Sequence, residues 1–296
     1  MNRKEWKGIL FALAGGTMWG FSGTCGQYIF ANSNIQADTV TVIRLLGAGI
    51  LLYLYNYIRQ GRKILAIWRE PKDVIRLILF ATVGLTFCQY SYLKAISYSN
   101  SGTATVLQYC GIILIMIVTC FLGLRLPAMR EMAALIAVLL GVFFLACHGD
   151  PGSLAISRPA LLWGGLAALA LMLYTMLPGY LLAKWGSVIV TGYAMLIGGI
   201  LFALATRAWT VRPGWSPRLI AATAAIVLLG TVVAFNFYLK GVELCGPVKT
   251  SMIACVEPVV AAVLSAVWLK TAFVPADLAG FALIIAGVLL VSSESM

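Results

Sequence analysis

Long apolar runs separated by short polar turns fill almost the whole chain. The runs contain Gly and other small residues, and they do not alternate apolar with polar positions, which favours helices over a β-barrel. Most runs have the roughly 20 residues that an α-helix needs to cross a bilayer. The pattern predicts ten helices, at residues 8–30, 39–58, 74–94, 102–124, 131–148, 159–182, 187–206, 218–240, 247–269 and 275–292. Pro178 is expected to kink the sixth helix.

One stretch of the chain occurs twice in related form. Residues 92–109 read YLKAISYSNSGTATVLQY, and residues 238–255 read YLKGVELCGPVKTSMIAC, 146 positions later. Both stretches contain the end of one apolar run, a polar turn and the start of the next run. Continued without a gap, the same offset pairs Glu131 with Asp277. Matched hydropathy, matched acids and adjacent identities at one offset indicate an internal repeat.

We interpret the chain as two five-helix units, residues 1–148 and 159–296, joined by the connecting loop 149–158. Because each unit has an odd number of helices, the second unit must be inverted in the membrane. Fourteen of the 21 Lys and Arg residues lie near helix ends on the side of the N-terminus, and six lie on the opposite side. Basic residues accumulate in cytoplasmic loops, so we expect both termini in the cytoplasm.

Composition supports a membrane protein, since 61% of the residues are hydrophobic and only 10% are charged. An ordinary soluble domain has far more charge. The net charge of +11 is explained by the basic loops, because aromatic and basic residues do not cluster outside the apolar runs as a nucleic-acid site requires. We therefore expect the lipid bilayer of the plasma or inner membrane as a partner, and no nucleic acid.

The motifs of enzymes and cofactor sites are not found in the sequence. The single His, His148, lies at a predicted helix end, and no His-Glu-x-x-His, Gly-x-Ser-x-Gly or P-loop motif occurs. The seven Cys lie mostly inside apolar runs, without the Cys-x-x-Cys spacing of metal and redox sites. The sequence therefore predicts no enzymatic activity, no cofactor and no metal site.

Polar side chains at membrane depth are the candidates for a binding site, because each needs a partner or a watery cavity. Glu257 could bind a cationic group or take up a proton, or it could be a hydrogen-bonded acid beside the Pro258 kink. Arg44 could bind a carboxylate or pair with Glu257, or it could snorkel or hold a neighbouring carbonyl.

Eight uncharged residues at similar depth complete the predicted lining of a central cavity. Each of them could instead join helices or lie at the membrane interface. The predicted cavity residues are Trp19, Gln89, Tyr90, Gln108, Tyr109, Tyr174, Tyr193, Asn236 and Glu257.

The repeated stretches also resemble a known family. Parts of the chain are similar to the two halves of the EamA family in the drug/metabolite transporter superfamily. These parts are residues 102–109 (GTATVLQY) and 257–262 (EPVVAA), together with Trp19-Gly20, Arg44 and the pairs Gly141-Val142 and Gly287-Val288. The resemblance covers essentially the whole chain. It implies ten transmembrane helices in two inverted five-helix repeats, with a central cavity lined by helices one to four and six to nine.

The function that we expect is secondary transport of small organic solutes by alternating access. The resemblance implies amino acids, amines or related metabolites and drugs as substrates, and export as the direction. Protons are a candidate coupling ion because Glu257 is an acid placed well inside the hydrocarbon. A channel-like passive facilitator and a membrane receptor or scaffold without transport are the alternatives.

Overall fold

A computed structural model describes residues 3–98, 101–124, 126–147, 150, 152, 157–210, 214–269 and 274–292. His148 and most of the predicted loop 149–158 lie outside these ranges. The regular structure of the described residues is helical, as the apolar runs predict. In chain order its spans are α1 (Arg3–Asn32), α2 (Ala37–Gln60), α3 (Pro71–Tyr98), α4 (Ser101–Leu122), α5 (Met129–Cys147), α6 (Arg158–Trp185), α7 (Ser187–Thr206), α8 (Pro217–Cys245), α9a (Pro247–Ala254), α9b (Glu257–Leu269) and α10 (Pro275–Ser292).

Several helix ends are fixed by local chemistry that the sequence supplies. Ser157 and Ser216 cap α6 and α8, because the side-chain oxygen of each accepts a backbone N–H of the first turn at 3.3 Å. The residues that follow α2, α6 and α8 have positive φ angles of 57°, 80° and 83°, which glycine adopts without strain. These glycines are Gly61, Gly186 and Gly246.

The membrane character of the bundle is visible in its helix lengths and its surface. Within the described residues, five segments are long and apolar enough to cross a bilayer: Ala37–Arg69, Pro71–Tyr98, Arg158–Trp185, Ser187–Thr206 and Pro217–Cys245. Leu107–Leu122 and Leu278–Gly287 are shorter apolar stretches. Large apolar side chains such as Phe121 and Leu162 are 75% and 62% exposed on the outside of the bundle, where lipid would cover them.

The helices pack in pairs that follow a simple rule. Helix α1 packs against α8 and α9, and α6 packs against α3 and α4. Helix α2 packs against α7, and α5 packs against α10. If each of the first five helices is exchanged with the helix five places later, the same pairs result. The pair of α1 and α8, for example, becomes the pair of α6 and α3.

Two helices widen locally into π-helix turns. In α3 the π segment is Phe80–Thr86, and in α8 it is Leu228–Val233. A threonine hydroxyl donates to the carbonyl oxygen five residues earlier in both, from Thr86 to Ala81 at 2.7 Å and from Thr231 to Ile226 at 2.8 Å. The apolar periodicity of these runs predicts plain α-helices, so the π turns are a feature that sequence reasoning missed. Such turns occur often at functional sites.

Two predicted helices are interrupted. In the sixth helix, where a kink is expected at Pro178, Leu177 and Pro178 separate the α-helical segments Arg158–Met176 and Gly179–Trp185. The prediction of one continuous ninth helix over 247–269 is wrong, because Cys255 and Val256 form a turn between α9a and α9b. The amide groups of these two residues bond to carbonyls three residues back, which ends the α-helical register.

Candidate functional site

A central cavity lies between α1, α2, α3, α4, α6, α8 and α9. The volume of the cavity that water could occupy is about 70 Å³, and it becomes about 700 Å³ when all the space between the lining atoms and at the opening is included. It extends from the middle of the bundle to Gly26, Val40 and Ile96, in the direction of the end where α1 finishes and α2 begins. Of the residues that the sequence singled out, its lining includes Trp19, Arg44, Gln89, Gln108, Tyr109, Tyr174 and Glu257.

Glu257 is the one acidic residue among the described residues of the cavity lining. It is the first residue of α9b, not a residue in the interior of a continuous helix as the sequence predicted. Only 8% of its surface is exposed, and the hydroxyl of Tyr109 donates to its Oε2 at 2.9 Å. A buried carboxyl group needs such a donor. The break in α9 therefore places the carboxyl at a helix start, beside a phenol from α4.

The break in α9 also lets α1 approach closely. Pro258 has no N–H to offer the Ala254 carbonyl four residues earlier, which a continuous helix would have bonded. Gly16 of α1 packs directly on this carbonyl, since a Cβ on residue 16 would lie only 2.6 Å from the oxygen. The absence of a side chain at position 16 therefore keeps α1 against the segment that carries Glu257.

Arg44 is the cation of the cavity lining, and it is 7% exposed. Its Nε donates to Thr231 Oγ1 at 3.1 Å, and its Nη2 donates to the Gly230 carbonyl at 3.4 Å. Both acceptors belong to the π turn of α8. The described residues contain no ion pair between Arg44 and Glu257, so the pairing raised from the sequence is not made. Arg44 instead donates to a carbonyl of a neighbouring helix, which is one of the alternatives that the sequence leaves open.

Several polar atoms of the lining have no hydrogen-bond partner among the described residues. They are Trp19 Nε1, both amide atoms of Gln89 and the hydroxyl of Tyr174. Gln108 makes only one weak contact, from its Nε2 to Cys88 Sγ at 3.9 Å. Orphaned polar groups are costly in a dry interior. They are expected where a ligand or water completes the hydrogen bonds.

A cluster of five aromatic side chains closes the cavity towards the opposite end of the bundle. We call this cluster the aromatic floor; it consists of Trp19, Phe80, Tyr174, Phe235 and Tyr238. Ring centroids within it lie 4.8–6.0 Å apart. Tyr238 is 1% exposed, and its hydroxyl shares a hydrogen bond of 2.8 Å with Thr175. Four helices contribute to the floor, namely α1, α3, α6 and α8.

Beyond the floor, at the end that carries the N-terminus, ion pairs join the first five helices to the rest. Asp73 of α3, 2% exposed, lies 2.8 Å from Lys184 Nζ and accepts a hydrogen bond of 2.8 Å from Trp185 Nε1. Lys249 of α9a lies 2.8 Å from Glu5 of α1. At the other end, a buried apolar cluster joins the two parts, because Ile29 and Ile96 belong to the same core as Leu219, and Ser157 donates an exposed hydrogen bond of 3.4 Å to the Tyr98 carbonyl. The described contacts between the two parts are therefore ionic at one end and mainly apolar at the other.

Three predicted cavity residues are not brought to the cavity. Tyr90 follows Gln89 on a helix and so faces another way, against Trp163 and Phe202. Tyr193 donates to the Ile64 carbonyl at 3.2 Å, in the 3₁₀ helix Gly61–Arg69 that follows α2. Asn236 donates back to the Val232 carbonyl at 2.7 Å.

Other lining residues were missed by sequence reasoning. Tyr92 and Cys88 of α3 line the cavity, and Tyr92 shares a hydrogen bond of 3.0 Å with Thr105. The sequence contains a feature that could have identified Tyr92, because Tyr92 is the first residue of the repeated stretch. Its counterpart in the second copy is Tyr238, which lies in the aromatic floor. No group of three or more His, Cys, Asp and Glu residues that could hold a metal is present in the described part of the chain.

Comparisons with known proteins agree with this geometry. The model of the EamA-like transporter family matches residues 6–147 and 158–293. A Salmonella typhimurium LT2 protein named "Uncharacterized inner membrane transporter YicL" is 36% identical over 289 residues, which cover 98% of this chain and 96% of the relative. A solved structure described only as "Crystal structure of protein" superposes with a TM-score of 0.77 at 18% identity, over 96% of this chain and 95% of that one.

Proposed function

The chain belongs to the EamA-like transporter family, and we propose that it is a secondary carrier of small organic solutes that works by alternating access. The observation that carries this proposal is a central cavity with orphaned polar atoms, closed at one end by the aromatic floor and extended in the direction of the other end. A cavity that reaches one side only is what a carrier needs in each of its states. An open channel would need a path through the floor.

We propose that the carrier consists of two inverted halves, residues 1–148 and 159–296. Two observations support this organisation. The family model matches two stretches that agree with these halves. The packing pairs, α1 with α8 and α6 with α3 above all, are those expected when one half is exchanged for the other.

The lining favours a substrate with both apolar and polar parts. Aromatic rings of the floor offer contacts for an apolar or cationic group, and Gln89, Gln108 and Trp19 offer amide and N–H groups. Glu257 and Arg44 present one negative and one positive side chain. Amino acids, amines and related metabolites fit these features, and we propose export as the direction.

In this proposal the described state has its cavity directed to the outside of the cell. The relative from Salmonella typhimurium is named an inner membrane transporter, which supports an inner membrane as the location. In that membrane, a cavity directed to the outside places both termini in the cytoplasm. The ion pairs Asp73–Lys184 and Glu5–Lys249 close the cytoplasmic end. Transport requires that these contacts open while the outer end closes.

A thermal-stability screen tests the binding site. Purified protein is heated with amino acids, amines, nucleosides and cationic drugs, because a ligand of the folded state raises the melting temperature. Gln89→Met removes orphaned polar atoms inside the cavity, and Thr191→Val removes an orphaned hydroxyl that does not line it. We expect the ligand-induced shift to be lost in Gln89→Met and kept in Thr191→Val. An equal shift in both variants would contradict the assignment.

Flux into vesicles tests coupling to protons. Glu257→Gln keeps the shape of the side chain but cannot release a proton. We expect this variant to lose the part of the flux that an imposed pH gradient drives, while exchange of labelled for unlabelled substrate continues. A pH-driven flux equal to that of the parent would exclude Glu257 as the coupling group and leave passive exchange as the mode of transport.

A further inference from the structure

One side of α1 changes from close packing to empty space beyond the aromatic floor. Gly16 and Gly23 are seven residues apart, so they lie on the same side of the helix, two turns from each other. A Cβ on Gly16 would lie 2.6 Å from a carbonyl oxygen of α9a, whereas a Cβ on Gly23 or Gly26 would meet no heavy atom of the described residues within 4 Å. Both Gly23 and Gly26 line the central cavity. Packing against a neighbouring helix therefore explains the glycine at position 16 but not those at positions 23 and 26.

We call the space beside Gly23 and Gly26 the glycine recess. Trp19 of the aromatic floor lies on the same side of α1 as Gly26, seven residues earlier, so the recess rises about 10 Å above the indole. Gly26 is buried, yet the position that its Cβ would take is in contact with no described atom. Protein interiors are packed as densely as organic crystals, so unfilled space at a buried position is uncommon. Such space is expected where a ligand binds.

Gln89, on the α3 side of the cavity, is a second observation that points to a ligand. The residue is 3% exposed and lines the cavity, and neither its amide oxygen nor its amide nitrogen has a hydrogen-bond partner among the described residues. One and two turns further along α3, the buried residues Leu93 and Ile96 lie on the same side and also line the cavity. A buried amide without partners is costly. A ligand with a polar group for Gln89 and an apolar group beside Leu93 and Ile96 would remove that cost.

Contact with α8 holds α1 in the rotation that turns the glycine recess towards the cavity. Ser22, the neighbour of Gly23, is 4% exposed and fills the space that a side chain on Gly230 would occupy. The Gly230 carbonyl also accepts a hydrogen bond from Arg44. The recess therefore lies close to the cation of the cavity, and α1 cannot turn away without losing its packing on the π turn of α8.

We infer that Gly23 and Gly26 are specificity-determining residues, which admit the largest apolar group of the substrate to the glycine recess and limit the size of that group. The inference rests on the carrier function proposed above. The volume that water could occupy in the cavity is only about 70 Å³, which is room for about five water molecules. Each carbon atom added at position 23 or 26 removes a large fraction of this space. Larger side chains at these positions therefore exclude substrates with large apolar groups and still admit small ones.

Labelling of Cys88 with alkyl methanethiosulfonates tests the size limit without a known substrate. Cys88 is 6% exposed and lines the cavity, so a reagent must enter the cavity to reach the thiol. Methyl and n-butyl reagents are compared, by mass spectrometry of the peptide that contains Cys88, in the parent, Gly23→Val, Gly26→Val and Gly165→Val. Gly165 is the control because it also has open space at its Cβ position, but it lies in α6 outside the described cavity lining. We expect the butyl reagent to react about 10-fold or more slowly in Gly23→Val and Gly26→Val alone, and the methyl reagent to react alike in all four proteins.

Binding of amino acids that differ only in their side chains is the second arm. Melting temperatures are measured with L-alanine, L-valine and L-leucine. We expect Gly23→Val to lose the shift with leucine before the shift with alanine, Gly23→Ala to show a smaller change of the same sign, and Gly165→Val to keep all the shifts.

The two arms separate this inference from the proposed function. If none of the three amino acids stabilises the parent, amino acids are excluded as substrates of the proposed carrier, and the labelling rates alone decide on the recess. Equal labelling by the butyl reagent in all four proteins would overturn the inference. Equal slowing of the methyl and butyl reagents in Gly23→Val, or parallel loss of all three amino acids, would also overturn it, because neither result depends on size.

Discussion

Gly16→Ala tests whether the close approach of α1 to the break in α9 stabilises the protein and its cavity. A Cβ on residue 16 would lie 2.6 Å from the Ala254 carbonyl oxygen, 2.9 Å from Val256 Cγ1 and 3.0 Å from Ala254 Cα. Favourable contacts between carbon atoms begin at about 3.5 Å. Helices α1 and α9a must therefore separate by roughly 0.5 Å or more to admit a single methyl group.

The size of the effect follows from two opposing contributions. Overpacking in a well-packed interior costs about 1–3 kcal/mol. The better helix propensity of Ala returns about 1 kcal/mol. We therefore expect Gly16→Ala to destabilise the protein by up to about 2 kcal/mol. Gly165→Ala is the matched control, because it lies in α6 with no heavy atom within 4 Å of its added Cβ, and it should be stabilised by about 1 kcal/mol.

Melting curves of the two variants, with and without ligand, measure this difference. At this chain length about 2–4 °C corresponds to each kcal/mol, so Gly16→Ala should melt several degrees below Gly165→Ala. Because Glu257 lies just beyond the displaced segment, Gly16→Ala should also lose ligand binding. Equal melting temperatures and equal ligand shifts in the two variants would refute the argument that position 16 sets the distance between α1 and α9.

Two further substitutions test contacts that cross between the proposed halves. Arg44→Lys retains the charge but has a single nitrogen donor where Arg44 reaches two acceptors, so we expect a loss of about 1 kcal/mol in stability. Melting curves measure this loss. An unchanged melting temperature would show that the bonds from Arg44 to α8 contribute nothing to stability. Asp73→Asn removes the charge next to Lys184 and weakens the ionic closure of this end of the bundle, so an introduced Thr175→Cys should react faster with a thiol reagent. Glu70→Gln, at an exposed residue 3.9 Å from Lys184, is its control, and equal rates in both would contradict a closing role for Asp73.

The number and type of the helices could be predicted because a bilayer imposes a strong length and composition rule on the sequence. Burial of every backbone polar group within a helix leaves few alternatives for apolar runs of this length. The same rule selected Glu257, Arg44 and Gln89, since a polar residue at membrane depth needs a partner or a cavity. All three line the cavity.

The parts that could not be predicted depend on helix rotation and on long-range neighbours. Gln89 and Tyr90 are adjacent in sequence and equally polar in character, yet only Gln89 faces the cavity, because consecutive side chains on a helix point about 100° apart. Tyr109 and Glu257 are 148 residues apart, and no pattern in either helix predicts that they meet. The break before Glu257 depends on a change of hydrogen-bond register that apolar periodicity does not record.

The polar contacts around the cavity constrain the motion that transport requires. Tyr109 bonds to Glu257 and Arg44 bonds to Thr231, so both contacts join a residue of the first proposed half to one of the second. They lie near the middle of the bundle, whereas the ion pairs Asp73–Lys184 and Glu5–Lys249 lie at its end. Rocking about an axis through the middle moves the ends far and the centre little. In the alternating-access cycle that we propose, the central contacts therefore persist as a pivot while the end contacts break, and a substrate bound between them remains in place as access changes sides.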